Sequence, residues 1–201
     1  GPPKLKADTA FVEDSQLALI VYEVEPQVIV PHWSLNMLSF DVESRKWTYT
    51  LLNGWSHFGQ VKGQADGRRF YAGFVKPGGV YAINNIRTQG YWEACFNGAT
   101  KAFKIEPGRV NYIGVIDPNP TQKQIAESLP GETRQTVLSV FDTAILAYTP
   151  ASGRENWQPD LSSFLAANYP KVTAPIVAPK PIDTSFAPGK SSVAGRICEK
   201  Y

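Results

Sequence analysis

A short phrase that occurs twice between Phe70 and Ile116 constrains the fold more than any other feature of the sequence. In each copy an apolar run reaches a Pro-Gly pair, one more residue follows, and the chain restarts with Val and an aromatic residue. The two pairs are Pro77-Gly78 and Pro107-Gly108. Proline presets φ for the second position of a turn, and glycine accepts the positive φ of the third position. We therefore expect two turns between strands, with Gly78 and Gly108 at positive φ.

Strand signals also surround this stretch at regular intervals. Runs rich in Val, Ile, Phe and Tyr alternate with turn residues about every 8 to 12 positions, which is the spacing of a sandwich. The aromatic content of 12% suits a β-rich fold, and the hydrophobic content of 43% is enough for a core. We predict a mainly β protein, an Ig-like or transthyretin-like antiparallel β-sandwich with a C-terminal helical and extended appendage.

Three segments carry the clearest strand patterns. The run 17–24 is apolar apart from Glu23, which indicates a strand buried on both faces. Residues 35–52 alternate apolar and polar side chains on either side of a short polar turn, which predicts a hairpin with one packed face. Asn97-Gly98 separates the apolar runs 91–96 and 100–105, and this dipeptide is the strongest short-range signal for a second hairpin.

The character of the sequence changes after Asp117. Thr121 with Gln124 has the outline of a capping box and predicts a short helix to Leu129. Residues 134–149 fit a helix or a strand, and we favour a strand in the C-terminal half. A helix is predicted from residue 158, where proline occupies its first turn, to Tyr169. The proline-rich segment that follows predicts extended chain over the domain or an edge strand.

These patterns divide the chain into four parts. They are a leader or tether at 1–14, a sandwich core at 15–117, an appendage of one or two helices and one further strand at 118–186, and a polar tail at 187–201. The chain begins with Gly1-Pro2-Pro3 and has no initial Met, which we interpret as a trimmed form. Attachment to a membrane would then depend on a lipid anchor that preceded these residues.

Charge and composition exclude several classes of function. The chain has 20 basic and 18 acidic side chains, a net charge of +2, and its Lys and Arg residues are scattered. Nucleic acid is therefore not an expected partner, because phosphate binding needs a clustered basic surface. We expect no cofactor and no metal, since His32 and His57 are the only histidines and their spacing brings no carboxylate to them.

Cys95 and Cys198 are the only cysteines. Two cysteines are too few for a zinc site, and the chain lacks a Cys-x-x-Cys motif. In an oxidising compartment the pair would form a disulfide that attaches the C-terminal tail to the sandwich. The alternative is a buried thiol in a strand and an unrelated thiol in the tail. A nucleophilic role for Cys95 with His57 is disfavoured because Cys95 lies mid-strand, where no helix N-terminus stabilises a thiolate.

The glycine-rich loop that begins at Asn53 is the best candidate for a ligand site in the sequence. Trp55 and Phe58 could stack on a sugar ring or enter an apolar groove of a partner, while Asn53, Ser56 and His57 could supply hydrogen bonds. The alternative is that both aromatic side chains fold back and cap the end of the sandwich.

The twin phrase, together with the sequence Tyr-Ile-Gly that ends the second copy, resembles bacterial envelope proteins of unknown function, many of them lipoproteins. The resemblance covers residues 68–116 and extends to 157–178. It implies a transthyretin-like or carboxypeptidase-regulatory-like sandwich, located in the periplasm, on the outer surface as a lipoprotein, or secreted. It also implies a non-enzymatic module that binds a protein or glycan of the cell envelope or has a structural role. No catalytic residue carries over. The alternative function is a hydrolase of a cell-envelope polymer with its site near Trp55 and His57.

Overall fold

The structure is a computed structural model, and it describes residues 3–26, 34–48, 56–57, 59–65, 68–76, 79–88, 92–128, 139–187, 189–191 and 195–198. The strands are β1 (Ala18–Val24), β2 (Ser34–Asp41), β3 (Lys46–Trp47), β4 (Ser56–His57), β5 (Gly59–Ala65), β6 (Arg68–Val75), β7 (Val80–Thr88), β8 (Trp92–Cys95), β9 (Thr100–Lys104), β10 (Val110–Asp117), β11 (Ser139–Phe141), β12 (Ala147–Thr149), β13 (Ile176–Val177), β14 (Ile182–Thr184), β15 (Gly189–Ser191) and β16 (Gly195–Ile197). The helices are α1 (Asn119–Ser128), a 3-10 turn (Ala151–Gly153) and α2 (Trp157–Asn168).

The first sheet is built around β1. Its strand order is β12-β10-β1-β6-β5, and β13 also pairs with β10. All seven residues of β1 are buried, as its largely apolar run predicts, and Glu23 is the one charged residue among them. The strand pairs antiparallel with β6 and parallel with β10. Burial on both faces and pairing on both edges make β1 the centre of the hydrophobic core.

The second sheet has the order β11-β8-β7-β2-β3, with β4 on β2 and β9 bridging β7 and β14. Apolar residues of both sheets meet in one buried cluster, so the prediction of a mainly β sandwich with a helical and extended appendage is confirmed. The strands are not all antiparallel, because β1–β10, β10–β13 and β8–β11 are parallel pairs. Parallel neighbours require connections that leave the local sheet, and these connections run through the other sheet or the appendage.

The twin Pro-Gly phrases carry the chain between the two sheets. The first joins β6 in the first sheet to β7 in the second, and the second returns the chain from β9 to β10. Gly108 has φ +66°, as predicted. Pro77 and Gly78 lie outside the described residues, and the adjacent Gly79 has φ +107°. The backbone N–H of Ile105 donates to the Gly79 carbonyl at 3.2 Å, so the two connections contact each other.

The side chain of Asn111 closes the second connection. Its amide nitrogen donates to the carbonyls of Glu106 and Arg109 at 3.0 and 3.1 Å, and its carbonyl oxygen accepts the N–H of Glu106 at 2.9 Å. The same amide also donates to the carbonyl of Leu19 in β1 at 3.2 Å. A buried amide whose donors and acceptor are all used fixes both the turn and its position beside β1.

The hairpin predicted at Asn97-Gly98 is wrong. β8 and β9 do not pair with each other among the described residues, because each pairs antiparallel with a different half of β7. They lie end to end along one edge of β7, separated by the four residues 96–99. The interruption is held by tertiary contacts, since the side-chain oxygen of Asn97 accepts the N–H of Thr143 at 2.7 Å. The carbonyl of Asn97 accepts the N–H of Phe186 at 3.0 Å.

The hairpin predicted within 35–52 is formed by β2 and β3, which pair at Phe40↔Trp47. Its continuation at 49–52 lies outside the described residues. In the ambiguous segment, β12 is a strand at the C-terminal end, as we favoured, and 134–138 are not described. Helix α1 begins at Asn119 rather than at Thr121, because the Asp117 carboxylate accepts the N–H of Asn119 at 3.0 Å. Helix α2 lies where it was predicted, with Leu161 buried.

The segments predicted as leader and as polar tail each contain a residue that is buried against the sandwich. In the segment expected to be a leader, Phe11 is only 2% exposed, and its ring lies 5.2 Å from that of Phe74. Its backbone N–H donates to the carbonyl of Lys171, and its carbonyl accepts the N–H of Thr173. Burial of a large apolar side chain makes residue 11 an anchor rather than part of a free tether. In the predicted polar tail, Cys198 is fully buried.

Candidate functional site

The loop residues that the sequence singled out lie largely outside the described part of the chain. Asn53, Trp55 and Phe58 are not described, and for Ser56 and His57 only the backbone is. That backbone forms β4, which places His57 opposite Asn36 and Ser56 opposite Met37. A ligand site on this loop, and a hydrolase site near Trp55 and His57, remain predictions.

The disulfide between Cys95 and Cys198 attaches the C-terminal residues to the outer face of the second sheet. The structure joins these two cysteines with a Cα–Cα distance of 5.3 Å, and both are fully buried. We use the name C-terminal strap for residues 182–187, 189–191 and 195–198. One end of the strap is β14, which pairs with β9, and the other end is the disulfide.

A buried polar row crosses the second sheet beside the disulfide. The amide nitrogen of Asn36 donates to the side-chain oxygen of Asn85 at 2.6 Å, and the amide nitrogen of Asn85 donates to the Glu93 carboxylate at 2.5 Å. Asn85 is also the strand neighbour of Cys95. The side-chain oxygen of Asn36 has no hydrogen-bond partner among the described residues. An unmet buried acceptor costs about 1 to 3 kcal/mol, so this row is not optimised for stability alone.

A second apolar cluster lies on the same outer face. Tyr81 and Ile83 belong to the main core, whereas Ala82 between them belongs to this cluster. Successive side chains of a strand point to opposite faces, so the cluster is on the side of the sheet away from the first sheet. Its buried members are Leu38, Phe40, Trp47, Ala82, Ala102 and Phe186.

Trp47 is the centre of this cluster. Its ring centroid lies 4.7 Å from that of Phe40 and 4.7 Å from that of Phe186, with the Phe186 ring near edge-on at 69°. Phe40 comes from the adjacent strand, and Phe186 comes from the C-terminal strap. The indole nitrogen of Trp47 is buried and has no hydrogen-bond partner among the described residues. The strap therefore covers an aromatic side chain without satisfying its polar atom.

A cavity of about 470 Å³ opens where the strap meets the β2–β3 turn. We call it the Trp47 cavity. Its described lining residues are Ser44, Arg45, Lys46, Trp47, Ser185, Phe186 and Ala187. The cavity thus combines two buried aromatic rings with two cationic side chains at the surface. Nη1 of Arg45 donates to Oγ of Ser185 at 3.4 Å, which links the turn to the strap.

The carboxylate of Asp41 is hydrogen-bonded within the β2–β3 turn. The hydroxyl of Ser44 donates to the Asp41 carboxylate at 2.6 Å, and the Ser44 backbone N–H donates to it at 3.3 Å. These hydrogen bonds lower the pKa of Asp41 below its ordinary value. Arg45 follows with φ +56°, a left-handed backbone that turns the chain into β3. The turn is therefore ordered by local bonds, and it presents Arg45 and Lys46 to the cavity.

A second polar group of interest is buried at the other side of the molecule. The Glu23 carboxylate in β1 accepts the hydroxyl of Tyr112 at 2.5 Å and Nε of Arg154 at 3.2 Å. Nη2 of Arg154 donates to Asp160 in the first turn of α2 at 2.6 Å. Burial by itself lowers the pKa of Arg154, but hydrogen bonds and charge from Asp160 and Glu23 outweigh it and raise the pKa.

This charged group joins α2 to the centre of the first sheet. The ring of Tyr112 also stacks on Trp157 at 4.6 Å, with the two planes 6° apart. Glu23 and Arg154 are 0% and 8% exposed and pair with each other, so we interpret the group as structural. The sequence did carry a signal for it, since Glu23 interrupts a run predicted to be buried on both faces. A carboxylate at such a position needs a buried cation or donor.

Two further features, a metal-binding cluster and a membrane-spanning helix, are absent from the described part of the chain. Among the residues that the structure describes, no group of three or more His, Cys, Asp or Glu side chains could hold a metal ion. No helix in the described part of the chain is long and apolar enough to cross a membrane. Comparison of the chain with models of protein families, with curated proteins and with solved structures found no match.

Proposed function

We propose that the protein is a non-enzymatic module of the bacterial cell envelope, or a secreted one, that binds a protein or glycan partner. The observation that supports this setting is the Cys95–Cys198 disulfide, which uses both cysteines of the chain and is fully buried. Structural disulfides form and persist in oxidising compartments and are rare where thiols are kept reduced.

The Trp47 cavity is the binding site that we propose for this partner. Its volume of about 470 Å³ falls within the range of about 300 to 1,000 Å³ that ligand sites occupy. One wall is the short β2–β3 turn, and the other is the strap, which is anchored at β14 and at the disulfide. Walls anchored in this way are preorganised, so little conformational entropy is lost when a ligand binds.

The compartment can be tested by alkylating thiols in intact cells that produce the protein naturally. After acid quenching, a maleimide of high mass should leave the protein unmodified, and it should add to two thiols only after reduction. The double variant Cys95→Ala/Cys198→Ala should remain unmodified in both cases. Modification before reduction would contradict the proposed setting.

Binding can be tested by photocrosslinking in the same cells. A benzophenone amino acid at Ser44, on the lining of the Trp47 cavity, should give a discrete adduct with a protein or a glycan. The matched control is the same amino acid at Ile145, which is 52% exposed and lies outside the cavity. No adduct at Ser44, or the same adducts at both positions, would overturn binding at this site.

A further inference from the structure

We infer that the Trp47 cavity binds the C-terminal residue of a protein partner. The partner's carboxylate lies at Arg45 and Lys46, and its last side chain, an apolar one, packs against Phe186 and Ala187. The inference rests on the proposed function, because it names the partner of that cavity. Three observations support it: the positive charge at the rim of the cavity, the low exposure of its two aromatic rings, and its volume.

The rim of the cavity is cationic. Neither Arg45 nor Lys46 has a carboxylate partner among the described residues, and a single hydroxyl, that of Ser185, accepts from Arg45. The acidic residues of the same turn, Asp41 and Glu43, do not line the cavity. A guanidinium has five N–H donors in a fork that matches a carboxylate, so a ligand carboxylate would complete the rim.

The aromatic residues favour an apolar side chain over a sugar. A sugar ring stacks on an exposed aromatic face, whereas Trp47 and Phe186 are 6% and 5% exposed and cover each other's rings. What remains open to a ligand is the residual apolar surface of Trp47 and Phe186, together with Ala187. Transfer of an apolar side chain from water to such a surface is favourable, and it demands no hydrogen bond.

A C-terminal residue is the shortest chemical unit that meets both requirements. It carries a carboxylate and an apolar side chain on one Cα, so both can enter a cavity of about 470 Å³ together. An internal acidic residue would bring the flanking backbone into the same space. Its backbone polar groups would then need partners, and the only neutral polar side chains of the described lining with a hydroxyl to offer are Ser44 and Ser185.

The test uses the oxidised, full-length chain and fluorescence polarisation of a short labelled peptide, fluorescein-Gly-Ser-Gly-Ser-Leu, with a free C-terminal carboxylate. We expect saturable binding, and we expect the C-terminal amide of the same peptide to bind at least about tenfold more weakly, because it loses the charge-assisted hydrogen bonds. An amide that binds equally well, or an acid that does not bind, overturns the inference. A second peptide that ends in Phe is tested in the same way, and an equally tight amide or a non-binding acid overturns the inference there too.

Two competitors distinguish other sources of the carboxylate. N-acetyl-leucine should displace the peptide only at much higher concentration, since it lacks the residues that would lie outside the cavity and contact the surface around it. An amidated peptide with an internal Asp should not displace it. Displacement by N-acetyl-leucine at the peptide's own concentration would instead indicate a site for a small free acid, and displacement by the internal Asp peptide would indicate a site for acidic loops. Either result overturns the C-terminal assignment.

Variants locate the binding. Arg45→Gln/Lys46→Gln should lower the affinity for the acid peptide by about tenfold or more and remove the salt dependence of that affinity. Lys4→Gln/Lys6→Gln removes the same charge from an exposed segment far from the cavity along the chain, and it should leave the affinity unchanged. Equal affinities of the two double variants for the acid peptide would show that the peptide does not bind at the Trp47 cavity. Retention of the disulfide in each variant shows that the strap is still in place.

The crosslinking experiment separates this inference from the proposed function. If Ser44 gives a discrete adduct but no acid peptide binds, the cavity is a binding site and the C-terminal assignment is wrong. If Ser44 gives no adduct and the acid peptide does not bind, both the proposed binding site and the C-terminal assignment are wrong. Adduct formation that free acid peptide abolishes, and its amide does not, supports both together.

Discussion

The two positive-φ glycines of the twin phrases differ in what surrounds them. Gly108 has φ +66°, and a Cβ at this position would lie 2.0 Å from the carbonyl oxygen of Glu13. Its N–H donates to the carbonyl of Leu17 at 2.8 Å, so the turn cannot move away easily. Gly79 has φ +107°, but a Cβ there would meet nothing within 4 Å. Gly108 is therefore required both by its positive φ and by the nearby backbone, whereas Gly79 is required by its positive φ alone.

We predict that Gly108→Ala destabilises the protein more than Gly79→Ala does. The Gly79 substitution costs backbone strain of about 1 to 3 kcal/mol. The Gly108 substitution adds the displacement of a neighbouring backbone carbonyl, which brings the total to about 3 kcal/mol or more. Urea denaturation of both variants measures the difference. Equal losses would show that the close approach to Glu13 is relieved without cost.

Residue patterns predicted local conformation but not distant partners. The Pro-Gly pair was sufficient to predict positive φ at Gly108, because the turn needs no information from elsewhere in the chain. The buried pair of Glu23 and Arg154 could not be predicted, since the two residues are 131 positions apart. The same holds for Trp47 and Phe186, which form the Trp47 cavity from opposite ends of the sequence. The sequence analysis favoured the loop around Trp55 as the ligand site because the glycines and aromatic residues of that loop are close together in the sequence.

At the scale of elements, local periodicity placed β1, the β2–β3 hairpin and α2 correctly. Each of these has its pattern complete within one segment. Asn97-Gly98 has the composition of a hairpin turn, but its Asn97 groups accept hydrogen bonds from Thr143 and Phe186 instead. β7 is nine residues long, which leaves room for β8 and β9 end to end along one of its edges. Strand partners depend on such lengths and distant contacts, which no short motif encodes.

Helix α2 is joined to the first sheet through Arg154, and this junction can be tested. Arg154→Met should cost about 3 to 5 kcal/mol, because it leaves the Glu23 carboxylate buried without its cation. Adding Glu23→Gln to Arg154→Met should recover part of the loss, since the uncompensated charge is removed. Free energies of unfolding for the two single variants and the double variant give the coupling.

The matched control for this junction is Arg109→Met. Arg109 pairs with Glu13 at 3.2 Å, but these side chains are 30% and 68% exposed. An exposed ion pair contributes about 0 to 1 kcal/mol, so this variant should be nearly as stable as the parent. Comparable losses for Arg109→Met and Arg154→Met would mean that the buried group contributes no more than a surface pair. No recovery in the Glu23→Gln/Arg154→Met double variant would show that lost packing, rather than charge, explains the cost.

At the scale of the whole molecule, a residue near each end of the described chain is held against the sandwich. Near the N-terminus the anchor is Phe11, which is buried and bonded to the segment after α2. At the C-terminus it is Cys198, bonded to Cys95 across 103 positions of the chain. The closed loop contains the second Pro-Gly connection, both helices and β10. The disulfide should therefore act on the unfolding of the whole fold as well as on the strap.

We predict that Cys95→Ala/Cys198→Ala lowers the free energy of unfolding by about 4 to 5 kcal/mol, the chain-entropy value for a loop of about 100 residues. A reductant should lower the urea midpoint of the parent and leave that of the double variant unchanged, which controls for effects of the reductant itself. Freed from its anchor, the strap should also hold Phe186 less firmly, so affinity for the acid peptide should fall. An unchanged midpoint with lost affinity would mean that the disulfide orders the strap alone. That outcome would restrict its role to the Trp47 cavity, because a bond that adds nothing to global stability constrains only the segment it closes.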